Sequence, residues 1–282
     1  MALTPHRDFV VPLPGGKSLR LSRGPTVMGI LNITPDSFSD GGEHDVPASA
    51  AAHAQLMLAE GADLIDIGGE STRPGAEPVS AQLELERVIP VLTALRHAAF
   101  PLPLSIDTYK AAVAEEAALA GATIVNDVYG LQREPEIADV AALHEMPVIA
   151  MHWDPERDTA KDIIGELKRY FERSIGIAGK AGIGPDQLIL DPGFGFAKSL
   201  AENYEILRRL AELHDLGCAL LVGMSRKSMI GKLLDAPPDQ RLAGTIATSA
   251  VAYAAGAHIF RVHDVRPNRD ALRVAEAAIY GI

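Results

Sequence analysis

Short apolar runs recur along the whole chain, and each of them ends in polar or glycine-rich residues. There are eight such runs, at 27–33, 64–69, 104–108, 124–128, 147–152, 188–192, 219–225 and 258–265. Uninterrupted apolar runs of this length are typical of strands buried on both faces of a parallel sheet. Between them, apolar residues recur at helical spacing, as in Leu167, Phe171 and Ile175. These stripes predict helices that pack against the sheet.

A weak internal repeat supports an alternation of strands and helices. Segments 59–68, 119–128 and 254–263 each combine a helix end, a glycine and a strand. Glycine just after a helix allows the left-handed conformation that ends it. Eight β–α units in 282 residues predict an α/β fold, a (β/α)8 TIM barrel, which typically takes about 250 residues. A doubly wound open sheet is the alternative.

The chain before the first unit has a different pattern. Residues 9–22, FVVPLPGGKSLRLS, predict an N-terminal β-hairpin with Gly15 and Gly16 at its turn. This hairpin could close the bottom of the barrel. We therefore expect residues 1–24 to be a hairpin segment of the same domain, and 25–282 to be the barrel domain.

Composition excludes several classes of protein. The chain is 48% hydrophobic, has one cysteine, and has 26 basic against 37 acidic residues, a formal charge of −11. These values disfavour a disordered chain, a disulfide scaffold and a general nucleic-acid binder. No apolar run approaches the roughly 20 residues that span a bilayer, and no secretory signal is evident. We expect a cytoplasmic protein without nucleic-acid or membrane partners.

The chemistry-bearing residues follow the predicted strands. In a barrel, the carboxyl ends of the strands build the active site, and here all eight ends are polar. Three of them, Asp107, Asn126 and Asp191, could accept hydrogen bonds from the N–H edge of a heterocycle. A cationic group suited to phosphate comes from the later strands and one loop, namely Arg73, Arg226, Lys227, Arg261 and His263.

Two long loops, 34–47 and 70–80, are rich in glycine, serine, threonine and proline and look able to close as lids. Single polar residues also have structural interpretations. Asp107 could simply cap a helix, and Asp66 could be a buried structural carboxylate. Asp127 and Asp264 could be helix caps or supporting partners of other polar groups. His152 could be a histidine whose hydrogen bonds are met within the protein, and Cys218 could be a thiol in the apolar core. The sequence contains no H-E-x-x-H motif and no CxxC pair, so we do not expect a zinc site.

Seven motifs closely resemble dihydropteroate synthase. They are GILNITPDSFSDGG (29–42), IDIGGESTRPGA (65–76), SIDTYKAAVA (105–114), IVNDVYG (124–130), DPGFGFAK (191–198), GMSRKSMIG (223–231) and RVHDV (261–265). The resemblance runs from about residue 25 to the C-terminus. It implies a TIM barrel, usually a homodimer, that condenses 6-hydroxymethyl-7,8-dihydropterin pyrophosphate with p-aminobenzoate. The products would be 7,8-dihydropteroate, a folate precursor, and pyrophosphate, with assistance from Mg²⁺.

The resemblance also implies residue roles. Pterin binding is carried over to Asp107, Asn126, Asp191 and Lys227. Pyrophosphate binding falls to Asn32, Arg73, Arg261 and His263, with Asn32 also on the metal. The p-aminobenzoate site would contain Phe38, Thr72, Pro74, Phe196 and Ser228. Catalysis would rest on Asp107, Asp40, Arg73 and Lys227. Sulfonamides, which mimic p-aminobenzoate, would bind near Thr72, Pro74, Lys227 and Ser228.

The implied chemistry is an S_N1-like displacement. Ring nitrogens share the positive charge at the pterin methylene, so the departure of pyrophosphate is the difficult step, which cations and Mg²⁺ assist. Asp107 and Asp40 would stabilise the carbocation, and loop closure would exclude water. Two alternatives remain, a methyltetrahydrofolate:corrinoid methyltransferase and a non-catalytic pterin-binding paralogue. Ala197 and Tyr129 depart from residues common in the family and affect local loop shape only.

Overall fold

The chain begins with the predicted hairpin in a computed structural model that describes residues 6–33, 46–71 and 77–282. Strands β1 (Phe9–Leu13) and β2 (Lys17–Leu21) pair antiparallel and are joined by a turn at Pro14–Gly16. Gly15 and Gly16 have φ of 74° and 73°, in the left-handed region that glycine adopts without strain. The hairpin and its turn are confirmed.

Eight of the described strands form a closed parallel barrel, which confirms the predicted fold over the open sheet. They are β3 (Thr26–Asn32), β4 (Leu64–Gly68), β5 (Leu104–Asp107), β6 (Ile124–Asp127), β7 (Val148–Met151), β8 (Leu188–Asp191), β9 (Ala219–Val222) and β10 (Ile259–Val262). The strands neighbour each other in chain order, and β10 pairs with β3 to close the barrel.

Helices connect successive strands on the outside of the barrel. The described ones are α1 (Val46–Ala59), α2 (Ala81–His97), α3 (Ala111–Ala120), α4 (Glu136–Leu143), α5 (Ile163–Ala181), α6 (Leu200–Arg209), α7 (Ser228–Leu234), α8 (Leu242–Ala254) and α9 (Val265–Tyr280). The predicted apolar stripe is buried on α5, where Leu167 and Phe171 have no exposed surface. None of the helices in these described ranges is long and apolar enough to cross a membrane.

Several strands are shorter than the apolar runs that predicted them. The runs at 219–225 and 258–265 contain strands that end at Val222 and Val262. Met224 and Val265 lie beyond these ends but are still buried, at 2% and 0% exposure. Apolar character therefore continues past the last ladder hydrogen bond, because the first residues of a βα connection still pack against the core.

The hairpin covers one end of the barrel, as the sequence suggested. Val11, Leu13 and Leu21 form a separate buried cluster with inward residues at the starts of the barrel strands, among them Met28, Leu64, Ile124, Ile149, Ile189, Leu221 and Ile259. This apolar plug closes the amino-terminal end. The polar groups are consequently concentrated at the other end, where the strands reach their carboxyl termini.

Candidate active site

The strand register brings four of the predicted strand ends to one level. Asn32 is opposite Gly68, Gly68 is opposite Asp107, and Asp107 is opposite Asn126. Further round the barrel, Met151 is opposite Asp191. Neighbouring strands lie about 4.8 Å apart, so the polar side chains at these positions share one small mouth.

Arg261, on β10, reaches across the mouth to two carboxylates. Its Nε donates to Asp66 Oδ2 at 2.6 Å, and a terminal guanidinium nitrogen donates to Asp107 Oδ2 at 2.6 Å. The amide of Asn126 donates to the same Asp66 oxygen at 3.0 Å. A guanidinium, two carboxylates and an amide thus form one hydrogen-bonded group, which we call the acidic cluster (Asp66, Asp107, Asn126 and Arg261).

Electrostatics in the acidic cluster are strongly perturbed by burial. Burial raises the pKa of Asp107 to about 7, although the Arg261 guanidinium opposes this shift. Burial also works against the charge of Arg261, but Asp66 and Asp107 outweigh it and raise the arginine's pKa further. A carboxyl with a pKa near neutrality in a polar mouth is typical of a functional group.

Asp66 is the member of the cluster that sequence reasoning left as structural. Its side chain is fully buried, and it holds both Arg261 and Asn126 in place. The other oxygen, Oδ1, has no hydrogen-bond partner among the described residues. The only sequence signal was a charged residue in the middle of an apolar strand, which would otherwise be costly to bury.

Asp191 and Lys227 form a second polar group beside the acidic cluster. Asp191 is 4% exposed, and its Oδ1 accepts from the backbone N–H of Gly193 at 2.8 Å. Burial raises the pKa of Asp191, against the effect of the Lys227 ammonium. Burial lowers the pKa of Lys227 to about 8, against the effect of Asp191. The Asp191 carboxylate and the Lys227 ammonium therefore each favour the charged form of the other, against the effect of burial.

Lys227 also contacts the turn that follows β8. Its Nζ donates to Phe194 O at 2.5 Å and lies 4.6 Å from the centre of the Phe196 ring. This turn requires glycine, because Gly193 has a φ of +66° and a Cβ there would lie 2.1 Å from His152 O. The tight turn places one aromatic ring, Phe196, next to a cation at the edge of the mouth.

The predicted cationic group is more dispersed than a single phosphate pole. Arg226, at a φ of +57°, is paired with Asp264 through its Nε at 3.0 Å. Arg261 lies among carboxylates, as described above. His263 Nδ1 is 3.0 Å from Ser225 Oγ, and Ser228 is exposed at the start of α7.

One of the structural alternatives is wrong. Asp107 is not a helix cap, because α3 begins after Lys110 and Asp107 bonds Arg261 instead. Asp264 and Asp127 are supporting partners, as predicted. Asp264 makes no side-chain capping bond to α9 and pairs with Arg226, and Asp127 accepts from the backbone N–H groups of Tyr129 at 2.8 Å and Leu131 at 2.7 Å. Cys218 is buried, as predicted.

A buried ion-pair group missed by the sequence reasoning lies beside the second predicted loop. Lys110 bridges the carboxylates of Glu70 and Glu84, and Tyr109 Oη donates to Glu70 at 3.4 Å. Glu84 is 1% exposed, and burial raises its pKa. These contacts fix Glu70, the last residue of the Gly-Gly-Glu segment, to α2 and to the loop after β5.

Part of the predicted site lies outside the described residues. This applies to Asp40 and Phe38 on the first predicted loop, and to Thr72, Arg73 and Pro74 on the second. Asn32, the predicted metal ligand, is described and lies half-buried at the end of β3. In the described ranges no group of three His, Cys, Asp or Glu side chains could hold a metal ion by itself.

Comparisons with known proteins identify the family. The family model described as "Pterin binding enzyme" matches residues 28–263. The chain belongs to this family. It is 50% identical to dihydropteroate synthase of Escherichia coli (strain K12) over 270 residues, covering 94% of this chain and 95% of that protein. This relationship confirms the resemblance to dihydropteroate synthase and the prediction that the chain is an enzyme, a transferase.

Solved structures agree with the sequence comparison. The structure of Xanthomonas albilineans dihydropteroate synthase with 4-aminobenzoic acid has a TM-score of 0.89 at 45% identity, covering 96% of this chain and 99% of that one. The same enzyme in complex with 7,8-dihydropteroate has a TM-score of 0.86 at 44% identity, covering 95% and 99%. The barrel therefore has the fold of solved dihydropteroate synthases.

Proposed function

We propose that the chain condenses 6-hydroxymethyl-7,8-dihydropterin pyrophosphate with p-aminobenzoate to give 7,8-dihydropteroate and pyrophosphate. The observation that carries this assignment is the placing of Asp107, Asn126 and Asp191 at one barrel mouth, beside the Lys227 ammonium, with Asn126 and Asp191 each only 4% exposed. Two carboxylates and an amide offer acceptors and a donor for the edge of a pterin ring. The relatives bound to 4-aminobenzoic acid and to 7,8-dihydropteroate support the acceptor and the product.

The residues divide the chemical work as follows. Asp191, Asn126 and Lys227 orient the pterin, while the Asp107 carboxylate stabilises the positive charge that develops when the C–O bond to pyrophosphate breaks. Arg261 and His263, on and just after β10, bind the leaving diphosphate together with Arg73. The neutral arylamine then attacks the methylene carbon, and the proton that its nitrogen loses passes to the departed pyrophosphate or to solvent. This S_N1-like course needs no strong base, and Asp40 and the two loops would exclude water.

The chemistry of the donor set fits a Mg²⁺ ion shared with the substrate. Mg²⁺ usually keeps several waters and is bound by one or two protein oxygens plus substrate phosphates. The Asn32 amide oxygen, at the end of β3, is a donor of this kind, and the described residues offer no all-protein cage. When bound there, Mg²⁺ would neutralise charge on the pyrophosphate oxygens.

The aromatic acceptor is assigned to the edge of the mouth near Phe196, Lys227 and Ser228, with Phe38, Thr72 and Pro74. Phe196 offers a ring face beside the Lys227 ammonium, which suits a flat, anionic benzoate. Sulfonamides share this shape and charge, and we propose that they compete here. We also propose that the protein is a homodimer and that it is located in the cytoplasm.

The decisive experiment measures pyrophosphate and dihydropteroate together. Purified protein receives dihydropterin pyrophosphate and Mg²⁺, with and without p-aminobenzoate. We expect the two products in a 1:1 ratio only when p-aminobenzoate is present, and a loss of about 100-fold in kcat/KM in Asp191→Asn, which loses the charge that faces the pterin and Lys227. The surface variant Asp270→Asn serves as the matched control. Tight pterin binding without turnover would contradict the proposal.

A further inference from the structure

Lys198 is the residue of the DPGFGFAK motif that the proposed roles leave unused. It lies between the turn after β8 and helix α6, and its ammonium points inward. Nζ is 2.8 Å from Gly193 O, 3.0 Å from Phe196 O and 3.3 Å from His152 O. A fourth acceptor, His152 Nδ1, lies at 3.0 Å. Four acceptors thus surround Nζ, whose ammonium has three N–H donors. Burial lowers the pKa of Lys198 to about 7, against the effect of Asp191.

His152 is suited to act as an acceptor in this arrangement. Its side chain is fully buried, and burial, assisted by the nearby Lys198 cation, lowers its pKa to about 2. The imidazole is therefore neutral. Its Nδ1 faces Lys198 Nζ, and its Nε2 has no hydrogen-bond partner among the described residues. His152 is a fixed part of a binding pocket for the lysine, and not a proton donor to substrate.

The turn that Lys198 contacts has an unusual backbone. It is also held by Asn203, whose Oδ1 accepts from Gly195 N–H at 2.7 Å. Gly193, Gly195 and Ala197 have φ of 66°, 84° and 48°, so alternate residues are left-handed. The left-handed region is costly for alanine. Within the turn, one backbone hydrogen bond runs from Phe196 N to Gly193 O at 3.1 Å. The Lys198 ammonium adds bonds to two carbonyls of this turn from outside.

The same turn carries groups that face the substrates. Gly193 N–H binds Asp191, Phe194 O accepts from Lys227, and the Phe196 ring lies beside the Lys227 ammonium. We propose that Lys198 is a positioning residue that fixes this turn so that Phe196 and Lys227 form the site of the aromatic acceptor. The proposal rests on the proposed function, which assigns the acceptor to these two residues.

The test separates the two substrates. Lys198→Met keeps most of the aliphatic stem and removes the ammonium. We expect the KM for p-aminobenzoate to rise roughly tenfold and kcat to fall, because Phe196 is released. The affinity for the pterin substrate, measured by calorimetry, should fall much less than that for p-aminobenzoate. Asp107 and Asn126 lie on other strands, and only Asp191 and Lys227 contact this turn. The matched control is Lys180→Met at the exposed end of α5, which should behave like the wild type.

Restoring the charge provides the second measurement. Lys198→Cys, made in a Cys218→Ala background, is treated with 2-bromoethylamine, which rebuilds an ammonium on a side chain of lysine length. The modified protein should recover most of its affinity for p-aminobenzoate, whereas the untreated one should not. The proposal is overturned if the affinities for both substrates fall together, or if the KM for p-aminobenzoate does not change. It is also overturned if neither variant folds, since the role of Lys198 would then be structural only. Wild-type turnover tests the proposed function separately.

Discussion

Asp107 is subject to two opposing influences, burial, which favours its protonated form, and Arg261, which favours the carboxylate. Its pKa of about 7 therefore lies close to that of Lys227, at about 8. The reactive state needs the Asp107 carboxylate to stabilise a cation and the Lys227 ammonium to face Asp191. Only a narrow range of pH supplies both charges at once.

We predict a bell-shaped dependence of kcat/KM on pH, with limbs near the pKa values of about 7 for Asp107 and about 8 for Lys227. Activity rises through the acid limb because Asp107 ionises, and it falls through the alkaline limb because Lys227 loses its proton. In Asp107→Asn the acid limb should disappear while the alkaline limb stays. The measurement is the initial rate at low substrate from pH 5 to 10. An unchanged acid limb in the variant would assign it to another group.

Ionisation of the Asp107 carboxyl supports activity but lowers the stability of the folded protein. The folded-state pKa of Asp107, about 7, lies above the ordinary value of 3.8, so the folded protein retains a proton that the unfolded chain releases. The free energy of unfolding that Asp107 contributes therefore decreases as the pH rises between these two values. The group is retained at a cost to stability, which is consistent with its assigned role in catalysis.

Sequence reasoning found the residues that end a strand more readily than those that support them. Asp107, Asn126 and Asp191 stand at strand ends, where polarity is visible against an apolar run. The supporting contacts of Asp66 and Lys198 are visible only in the structure, because Asp66 bonds Arg261 across 195 positions and Lys198 bonds His152 across 46. No local pattern encodes such contacts.

Among the elements, the hairpin was the clearest prediction outside the barrel. The Gly15–Gly16 turn is a local signal, and the hairpin formed as expected. The strand ends were predicted less well, because burial of the βα connections extends apolar runs beyond the ladder. The hairpin packs on the end of the barrel that is remote from the site. Substitutions in the hairpin can therefore change stability without changing the catalytic groups.

We predict that Leu21→Ala lowers the free energy of unfolding by about 3 kcal/mol, because Leu21 is fully buried in the plug of the barrel. Substrate KM values should not change, since the acidic cluster lies at the opposite end. Val10→Ala, on the same hairpin but 52% exposed, is the matched control and should cost less than about 1 kcal/mol. Urea unfolding followed by circular dichroism gives the difference. A similar loss in both variants would mean that the plug is not a stabilising core.

At the scale of the whole molecule, the site exists only when the barrel is closed. The acidic cluster joins β4, β5 and β6 to β10, and Asp191 adds β8. The first and last barrel strands must pair before Arg261 can reach its two carboxylates. Binding of the pterin is therefore coupled to folding of the entire barrel and not to one loop.

We predict that a pterin ligand at 100 times its dissociation constant raises the free energy of global unfolding by about 2.7 kcal/mol. Two probes should report the same increase, circular dichroism for the whole barrel and the fluorescence of Trp153, the single tryptophan, for the mouth. Trp153 is suited to this because it stacks on Tyr129 with a centroid distance of 4.6 Å and also contacts Phe196. Asp191→Asn should abolish the increase for both probes. An increase seen only by fluorescence would contradict the coupling, because the ligand would then be stabilising the mouth without the strands that build it.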